Sequence, residues 1–210
     1  MRFVSLGLLA LLGLSVGVAN AAPVVAPVVA GLFATSPVAE LLPEKDGLKV
    51  SISASREGEF GAGSIRLRGS DPHINVVLQN TSSKPIRVFE EGNSWGYSSL
   101  TLEITKVDDK VLDKPLIVSR EQMVWLANPR SSEVIAPDEV LVREISLRSS
   151  DTPFNQGGYK NFPLSLKGGS SRVTMRVVFT SKDSQSDQGE TWTGRIASPL
   201  KDYTVFWRAN

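Results

Sequence analysis

The chain has 210 residues, with 23 Lys and Arg, 22 Asp and Glu, a single His and no Cys. This near-neutral balance argues against nucleic acid or an anionic membrane as a partner. The absence of cysteine excludes disulfides, thiolate catalysis and cysteine-ligated metals, so the core must hold the fold without covalent help.

The N-terminus has the parts of a secretory signal peptide. Arg2 is a lone positive charge, residues 3–18 are apolar or small, and Ala19-Asn20-Ala21 supplies a small-x-small cleavage pattern. We expect residues 1–21 to be cleaved, which predicts a periplasmic or secreted protein with no membrane insertion after cleavage. The alternative is an uncleaved signal that anchors the chain in a membrane, because no charged residue occurs between Arg2 and Glu40.

Residues 22–47 are rich in Pro, Ala and Val, and their prolines interrupt any amphipathic period. This composition predicts a linker that is extended or partly disordered. An extra edge segment lying against the following domain is the alternative. The linker leads into a single domain, residues 48–210.

Apolar residues alternate with other residues in four stretches of this domain, as in strands with one buried face. In chain order these are 48–53, 74–79, 100–105 and 172–179. Further strand candidates are 86–90, 115–119, 122–125, 140–147, 192–196 and 202–207. No long helix is predicted, and turn residues separate the candidates.

Many short strands with frequent turns predict an all-β fold, namely an immunoglobulin-like antiparallel β-sandwich with loop insertions. One insertion is residues 148–163, which lack alternation. The other is residues 182–190, which are polar throughout and are expected to form a mobile loop.

Two turn motifs support this fold. Residues 80–85 read Asn-Thr-Ser-Ser-Lys-Pro, and residues 135–139 read Ile-Ala-Pro-Asp-Glu. With Trp95-Gly96-Tyr97 and residues 192–198 they resemble, in type and order, bacterial secreted immunoglobulin-like proteins. More distantly they resemble the sandwich domains grouped with an intracellular proteinase inhibitor of bacilli, although Asp138 stands where glycine is usual. The resemblance implies a fold and carries over no catalytic residue.

Catalytic and metal-binding patterns are weak. His73 is the single histidine, no G-x-S-x-G nucleophile elbow accompanies it, and a zinc site would need more nitrogen or sulfur ligands. Adjacent acids such as Glu90 and Glu91 point to opposite faces of a strand and are poorly placed to share one substrate. We therefore expect no enzyme activity, no metal and no cofactor.

The most unusual stretch is Phe89–Ser99, which reads FEEGNSWGYSS. We interpret it as a corner between strands, in which Gly92 and Gly96 permit positive φ. It is also the first candidate for a binding site, through Glu91, Asn93, Trp95 and Tyr97, because binding residues tend to lie on loops held by rigid strands. If the segment is extended, Trp95 and Tyr97 share one face and form a platform on which a sugar ring can stack.

Three non-enzymatic functions remain open. The first is an exported, non-enzymatic immunoglobulin-like module that binds an envelope protein or acts as an accessory domain, and it predicts an apolar patch or an unprotected edge strand. The second is carbohydrate binding through Trp95 and Tyr97, with an envelope glycan as the ligand. The third is protease inhibition, for which residues 148–163 are the candidate loop.

Overall fold

Strands account for nearly all of the regular structure. A computed structural model describes residues 42–54, 63–67, 73–120, 123–147, 159–160, 162 and 169–207. The signal peptide predicted for residues 1–21 and most of the predicted linker lie outside these residues. Among the described helices, none has the length and apolar character needed to cross a membrane.

The elements in chain order are β1 (Glu44–Lys45), β2 (Leu48–Ile52), β3 (Ser64–Leu67), β4 (His73–Asn80), β5 (Ile86–Phe89), α1 (Ser94–Tyr97), β6 (Leu100–Val107), β7 (Lys110–Arg120), β8 (Ser132–Ile135), β9 (Val140–Ser146), β10 (Tyr159–Lys160), β11 (Gly169–Ser181), β12 (Gln185–Ser186), β13 (Gly189–Glu190), β14 (Gly194–Ala197) and β15 (Lys201–Trp207).

Two large sheets hold most of these strands. The four-stranded sheet has the order β1-β2-β4-β9, and the seven-stranded sheet has the order β10-β7-β6-β11-β15-β3, with β14 also paired to β11. The pairing of β3 with β15 is parallel, and the other pairings of these sheets are antiparallel. The prediction of an all-β fold is confirmed.

The inner faces of the two large sheets contribute to one hydrophobic cluster. Alternation places every second side chain of a strand on the same face, so each strand adds a row of apolar residues. Side chains with no measurable exposure include Leu48, Val50, Ile74, Val76, Leu78, Leu102, Ile104, Ile145, Val173, Met175, Val177 and Val205. Trp192 closes this core against Phe179 and donates its indole N–H to the Lys45 carbonyl at 3.1 Å.

The ladder formed by β4 and β9 continues past a kink into the ladder formed by β5 and β8. Gln79 pairs with Val140 in the first ladder, and Ile86 pairs with Ile135 in the second. Between these two pairs, the side of the ladder that contains β4 and β5 advances seven residues and the side that contains β8 and β9 advances five. The register therefore shifts by two residues at the kink.

Asn80, the first residue of the Asn-Thr-Ser-Ser-Lys-Pro motif, holds this kink together from a fully buried position. Its side-chain amide donates to the carbonyl oxygens of Lys84 at 2.7 Å and Ile135 at 2.8 Å. Its Oδ1 accepts from the Ser82 amide at 2.9 Å, and its carbonyl accepts from the Asp138 amide at 3.0 Å. Asp138 adopts a φ of 62°, which explains why glycine suits the same position of this turn.

Most strands lie where the sequence predicts them, and some strands were not predicted. β3 and β8 were not predicted, whereas the described part of the predicted strand 122–125, namely 123–125, contains no strand. β1 lies inside the segment predicted as a linker and pairs with β2, as the alternative of an edge segment requires. The insertion predicted at 148–163 lies outside the described residues except for 159, 160 and 162.

Residues 182–190, predicted as a mobile loop, contain regular structure that hydrogen bonds attach to a neighbouring segment. β12 and β13 form a small hairpin within it. The Asp187 amide donates to the Arg130 carbonyl at 3.0 Å, and the Asp187 carboxylate accepts from the Arg130 amide at 2.9 Å. Gln188 Oε1 accepts from the Ser132 amide at 2.9 Å, so the hairpin is tied to the segment that enters β8.

Candidate functional site

The segment around Trp95 forms a single helical turn, not an extended strand. Asn93 is its N-cap, and the Asn93 Oδ1 accepts from the amides of Trp95 at 3.1 Å and Gly96 at 3.0 Å. The Asn93 side-chain amide donates to the Ser131 carbonyl at 2.8 Å. Because Asn93 is fully buried and makes these bonds, it is a structural residue of the corner and is not accessible to a ligand.

Gly96 is needed for a reason other than the predicted positive φ. Neither Gly92 nor Gly96 has a positive φ. A β-carbon at Gly96 would lie 2.1 Å from the Glu90 carbonyl oxygen, whereas one at Gly92 would meet no atom within 4 Å. The corner therefore requires glycine at position 96 for close backbone packing.

The helical turn separates the two aromatic rings that were expected to share a face. Tyr97 is buried, with an edge-to-face contact to Trp125 at 5.5 Å between ring centroids. The Arg120 guanidinium lies 4.8 Å from the Tyr97 ring centroid. Burial raises the pKa of the Tyr97 hydroxyl, an effect that the charge of Arg120 opposes. The structure thus contains no platform made of both rings.

Glu91 lies beside this buried ring and is engaged in an ion pair. Its Oε1 is 2.8 Å from Nη2 of Arg120, whose side chain is only 10% exposed. Glu91 therefore neutralises a largely buried guanidinium that also stacks on Tyr97. Of the four predicted site residues, Glu91, Asn93 and Tyr97 serve the packing of the corner.

Trp95 is half-buried and is the predicted site residue that lines a cleft. Its indole stacks on Phe89, with ring centroids 5.7 Å apart, and lies 4.8 Å from the Arg130 guanidinium. These two contacts compete with a sugar for the faces of the indole. Stacking of a pyranose on Trp95 therefore gains no support from the geometry.

Asp183 completes the contacts of Trp95. Its carboxylate lies 2.5 Å from Nη2 of Arg130, the cation that contacts the Trp95 ring. The backbone amide of Gln185 is the largest cause of a lowered pKa at Asp183, and Arg130 and Trp95 lower the pKa further against the opposing effect of desolvation. Trp95 consequently contacts an aromatic ring and a cation, and Asp183 holds that cation in place.

The cleft next to Trp95 lies on the outer face of the seven-stranded sheet and has a volume of about 680 Å³. α1 and residues 181–183 wall one end, and outward side chains of β6, β7, β11 and β14 form the floor. The charged residues that line it are Glu103, Lys182, Asp183 and Arg195.

Glu103 is the buried acid of this floor and is held by two arginines. Its Oε2 is 2.6 Å from Nε of Arg176, the directly opposite residue on β11. Its Oε1 is 3.0 Å from Nη2 of Arg195 on β14. Alternation in the sequence places Glu103 and Arg176 on outward positions, but the order of the strands that brings them together is not visible in the sequence.

A second surface is the open edge of the kinked ladder. Val134 on β8 and Val140 and Val142 on β9 are 48%, 55% and 52% exposed. Within the described residues, β9 pairs only with β4 and β8 pairs only with β5. Three valines thus follow an edge on which no further strand is paired in the described part of the chain.

The segment before β8 carries two further exposed apolar residues, Val124 at 87% and Leu126 at 102%. Its anchors are Trp125, which packs on Tyr97, and Asn128, whose Oδ1 accepts from the Ser94 amide at 2.8 Å. The backbone of this segment is therefore fixed by these two contacts, while the side chains of Val124 and Leu126 face solvent.

His73 lies at the start of β4 and is half-exposed, with its Nε2 3.7 Å from Oε1 of Glu144. Asp71, the neighbouring acid in the sequence, is outside the described residues. Across the described ranges, no three His, Asp or Glu side chains gather into a potential metal site.

No protein-family model matches this chain, and no curated protein matches its sequence significantly.

Proposed function

We propose that the chain is an exported, non-enzymatic binding module with an immunoglobulin-like β-sandwich fold, and that it binds a protein through the open edge of β8 and β9. The shared hydrophobic cluster of the two sheets supports the fold. So does the chain path, in which β2, β4 and β9 join one sheet while β3, β6 and β11 join the other.

The single observation that carries the binding proposal is the direction of the backbone groups along this edge. The Asn80 amide donates to the Glu139 carbonyl at 3.0 Å, which makes these two residues a hydrogen-bonded pair. Such pairs alternate along an antiparallel ladder, so residues 141, 143 and 145 bond to β4. The amides and carbonyls of Val140, Val142 and Glu144 consequently face the open edge.

The same reasoning applies to β8. The Glu90 amide donates to the Ser131 carbonyl at 3.2 Å, so the backbone groups of Ser132 and Val134 point away from β5. The outward side of the kinked ladder therefore offers hydrogen-bonding groups beside three exposed valines. An extended peptide that adds as a strand finds both main-chain partners and apolar contacts there.

Side chains cover both ends of the edge formed by β8 and β9, so a partner strand can pair only with the middle of this edge. Gln188 Oε1 accepts from the Ser132 amide at one end. Arg120 Nη2 donates to the Glu144 carbonyl at 3.5 Å at the other end. The stretch from Val134 to Val142 is the part of the edge that a partner strand can reach.

The test is site-specific photocrosslinking in extracts of the producing cells. A benzophenone side chain at position 140 is expected to give an adduct of one defined mass. Val142→Pro removes an outward amide and leaves the bonds to β4 intact, so it should abolish the adduct, whereas Val142→Thr should retain it. The control position is Val111, which is 71% exposed in the hairpin of β6 and β7. No adduct at position 140, or the same adducts at 111, would overturn the proposal.

Export is tested separately, by the mass of the protein recovered from a bacterial host. Cleavage after Ala21 predicts a mature chain that begins at Ala22. An intact N-terminus in the membrane fraction would instead identify the uncleaved anchor.

The two other functions gain less support. Carbohydrate stacking on Trp95 and Tyr97 requires two rings on one surface, and Tyr97 is buried. The loop considered for protease inhibition, residues 148–163, lies outside the described residues except for 159, 160 and 162.

A further inference from the structure

Part of the floor of the cleft beside Trp95 is one long side chain that crosses a strand. Arg195 lies on β14, Glu103 lies on β6, and β11 runs between them. The 3.0 Å contact between Arg195 and Glu103 therefore places the Arg195 side chain above β11. This explains why Val178, which projects outward from β11, is only 1% exposed.

The four charged residues that line the cleft balance one another, and a surplus of positive charge arises when Arg130 and Arg176, which pair with its two acids from outside the lining, are counted as well. Asp183 is paired with Arg130 at 2.5 Å, and Glu103 is paired with Arg176 at 2.6 Å. Each carboxylate thus pairs with an arginine outside the lining, and Glu103 is shared with Arg195. Arg195 and Lys182 add two further positive charges at the cleft, and Lys182 has no ion pair among the described residues.

Arg195 is well placed to bind an anion. Its side chain is 52% exposed, and its one hydrogen bond within the described part of the protein uses Nη2. Guanidinium has five N–H donors in a planar fork that matches a carboxylate. The bond to Glu103 fixes the group, so little conformational entropy remains to be lost when a ligand binds.

Hydroxyl groups line the same cleft. Thr101 and Thr180 project from β6 and β11, and their hydroxyls have no hydrogen-bond partner among the described residues. Thr180 is directly opposite Arg195 on β14. Ser181 contributes a further hydroxyl to the lining, whereas the Ser98 hydroxyl there donates to the Ser94 carbonyl at 3.2 Å. Uncommitted hydroxyls next to a fixed cation suit a ligand that carries both a carboxylate and hydroxyl groups.

We propose that this cleft binds a carboxylated sugar, a hexuronate unit of an acidic saccharide. Arg195 and Lys182 bind the carboxylate, and the hydroxyls of Thr101 and Thr180 bind the ring hydroxyls. Trp95 forms the end wall and borders the ligand without stacking on it. The volume of about 680 Å³ accommodates one or two sugar rings. This site is separate from the edge of β8 and β9, so either can fail without the other.

The experiment is a nuclear magnetic resonance titration of the whole protein with a hexuronate disaccharide, followed at the Trp95 indole N–H. A saturable shift is expected. The matching neutral disaccharide should bind much more weakly. Arg195→Gln should weaken hexuronate binding about tenfold or more, since the substitution removes a hydrogen bond from a charged group. Lys182→Gln, at an exposed position, gives a second variant that preserves the fold. Arg172→Gln is the matched control, because Arg172 lies on β11, is exposed and pairs with Asp109 at 3.5 Å.

Equal affinity for the neutral disaccharide, or hexuronate binding unchanged in both Arg195→Gln and Lys182→Gln, would overturn the proposal. A further arm uses a short peptide with a free C-terminal carboxylate. Binding of this peptide without binding of the hexuronate would show that the cleft takes a carboxylate from a peptide and not from a sugar, which also contradicts the proposal.

Discussion

Gly96 packs directly against the backbone of Glu90, and a β-carbon at position 96 would lie 2.1 Å from the Glu90 carbonyl oxygen. Because the obstacle is backbone, it cannot rotate away as a side chain would. We expect Gly96→Ala to destabilise the fold by about 3 kcal/mol, the upper end of the range that is typical of overpacking. Urea unfolding measures this. Gly92→Ala is the control and should be nearly neutral, since no atom lies within 4 Å of its β-carbon. Similar losses in both variants would contradict the close packing.

Asn93 caps α1 and ties it to Ser131. Asn93→Ala removes the acceptor of two helix amides and the donor to the Ser131 carbonyl. We expect a loss of about 1–2 kcal/mol in the free energy of unfolding, at the upper end for an N-cap because the site is buried. Ser98→Ala, which removes an exposed hydroxyl that donates to the Ser94 carbonyl, should cost far less. Equal costs would show that the cap does not hold the corner.

Arg143 presents a buried charge on the inner side of β9. Its guanidinium donates to the Phe89 carbonyl and to Glu133 Oε1, and its side chain is 2% exposed. Glu133→Ala leaves that charge without its counterion and should cost about 1–3 kcal/mol, less than for a fully buried pair because Glu133 is 35% exposed. Arg143→Met should cost less than Glu133→Ala, since methionine fills similar space without a charge. Thermal and urea unfolding of both variants decide the order, and the reverse order would refute this account.

Asp183 is expected to titrate below the ordinary aspartate range. Its lowered pKa means that the contribution to stability is present above the pKa of the unfolded chain and is lost as pH falls through the lower folded-state pKa. Arg130→Ala should raise the pKa only in part, because the backbone amide of Gln185 is the larger cause. Carboxyl ¹³C titration measures both proteins, with Arg172→Ala as the control for loss of a distant arginine. A pKa unaffected by Arg130→Ala would contradict the contact.

The sequence indicates part of the candidate site but not the conformation of its backbone. The glycines, the Asn and the aromatic residues of 89–99 marked a corner, and the structure has one. Spacing alone placed Trp95 and Tyr97 on one face, because it assumed an extended backbone. The Asn93 side chain instead caps a helical turn, which turns Tyr97 into the interior and leaves Trp95 at the cleft.

The sequence by itself determined which face of the clearly alternating strands is buried, because strand side chains alternate strictly and the apolar set of Leu100, Leu102 and Ile104 can face only the core. The tertiary structure decided which strands are neighbours. That choice brings Arg195 across β11 to Glu103 and leaves the valines of β8 and β9 on an open edge. Alternation is a local property of the chain, whereas pairing between residues as distant as these depends on how both sheets assemble.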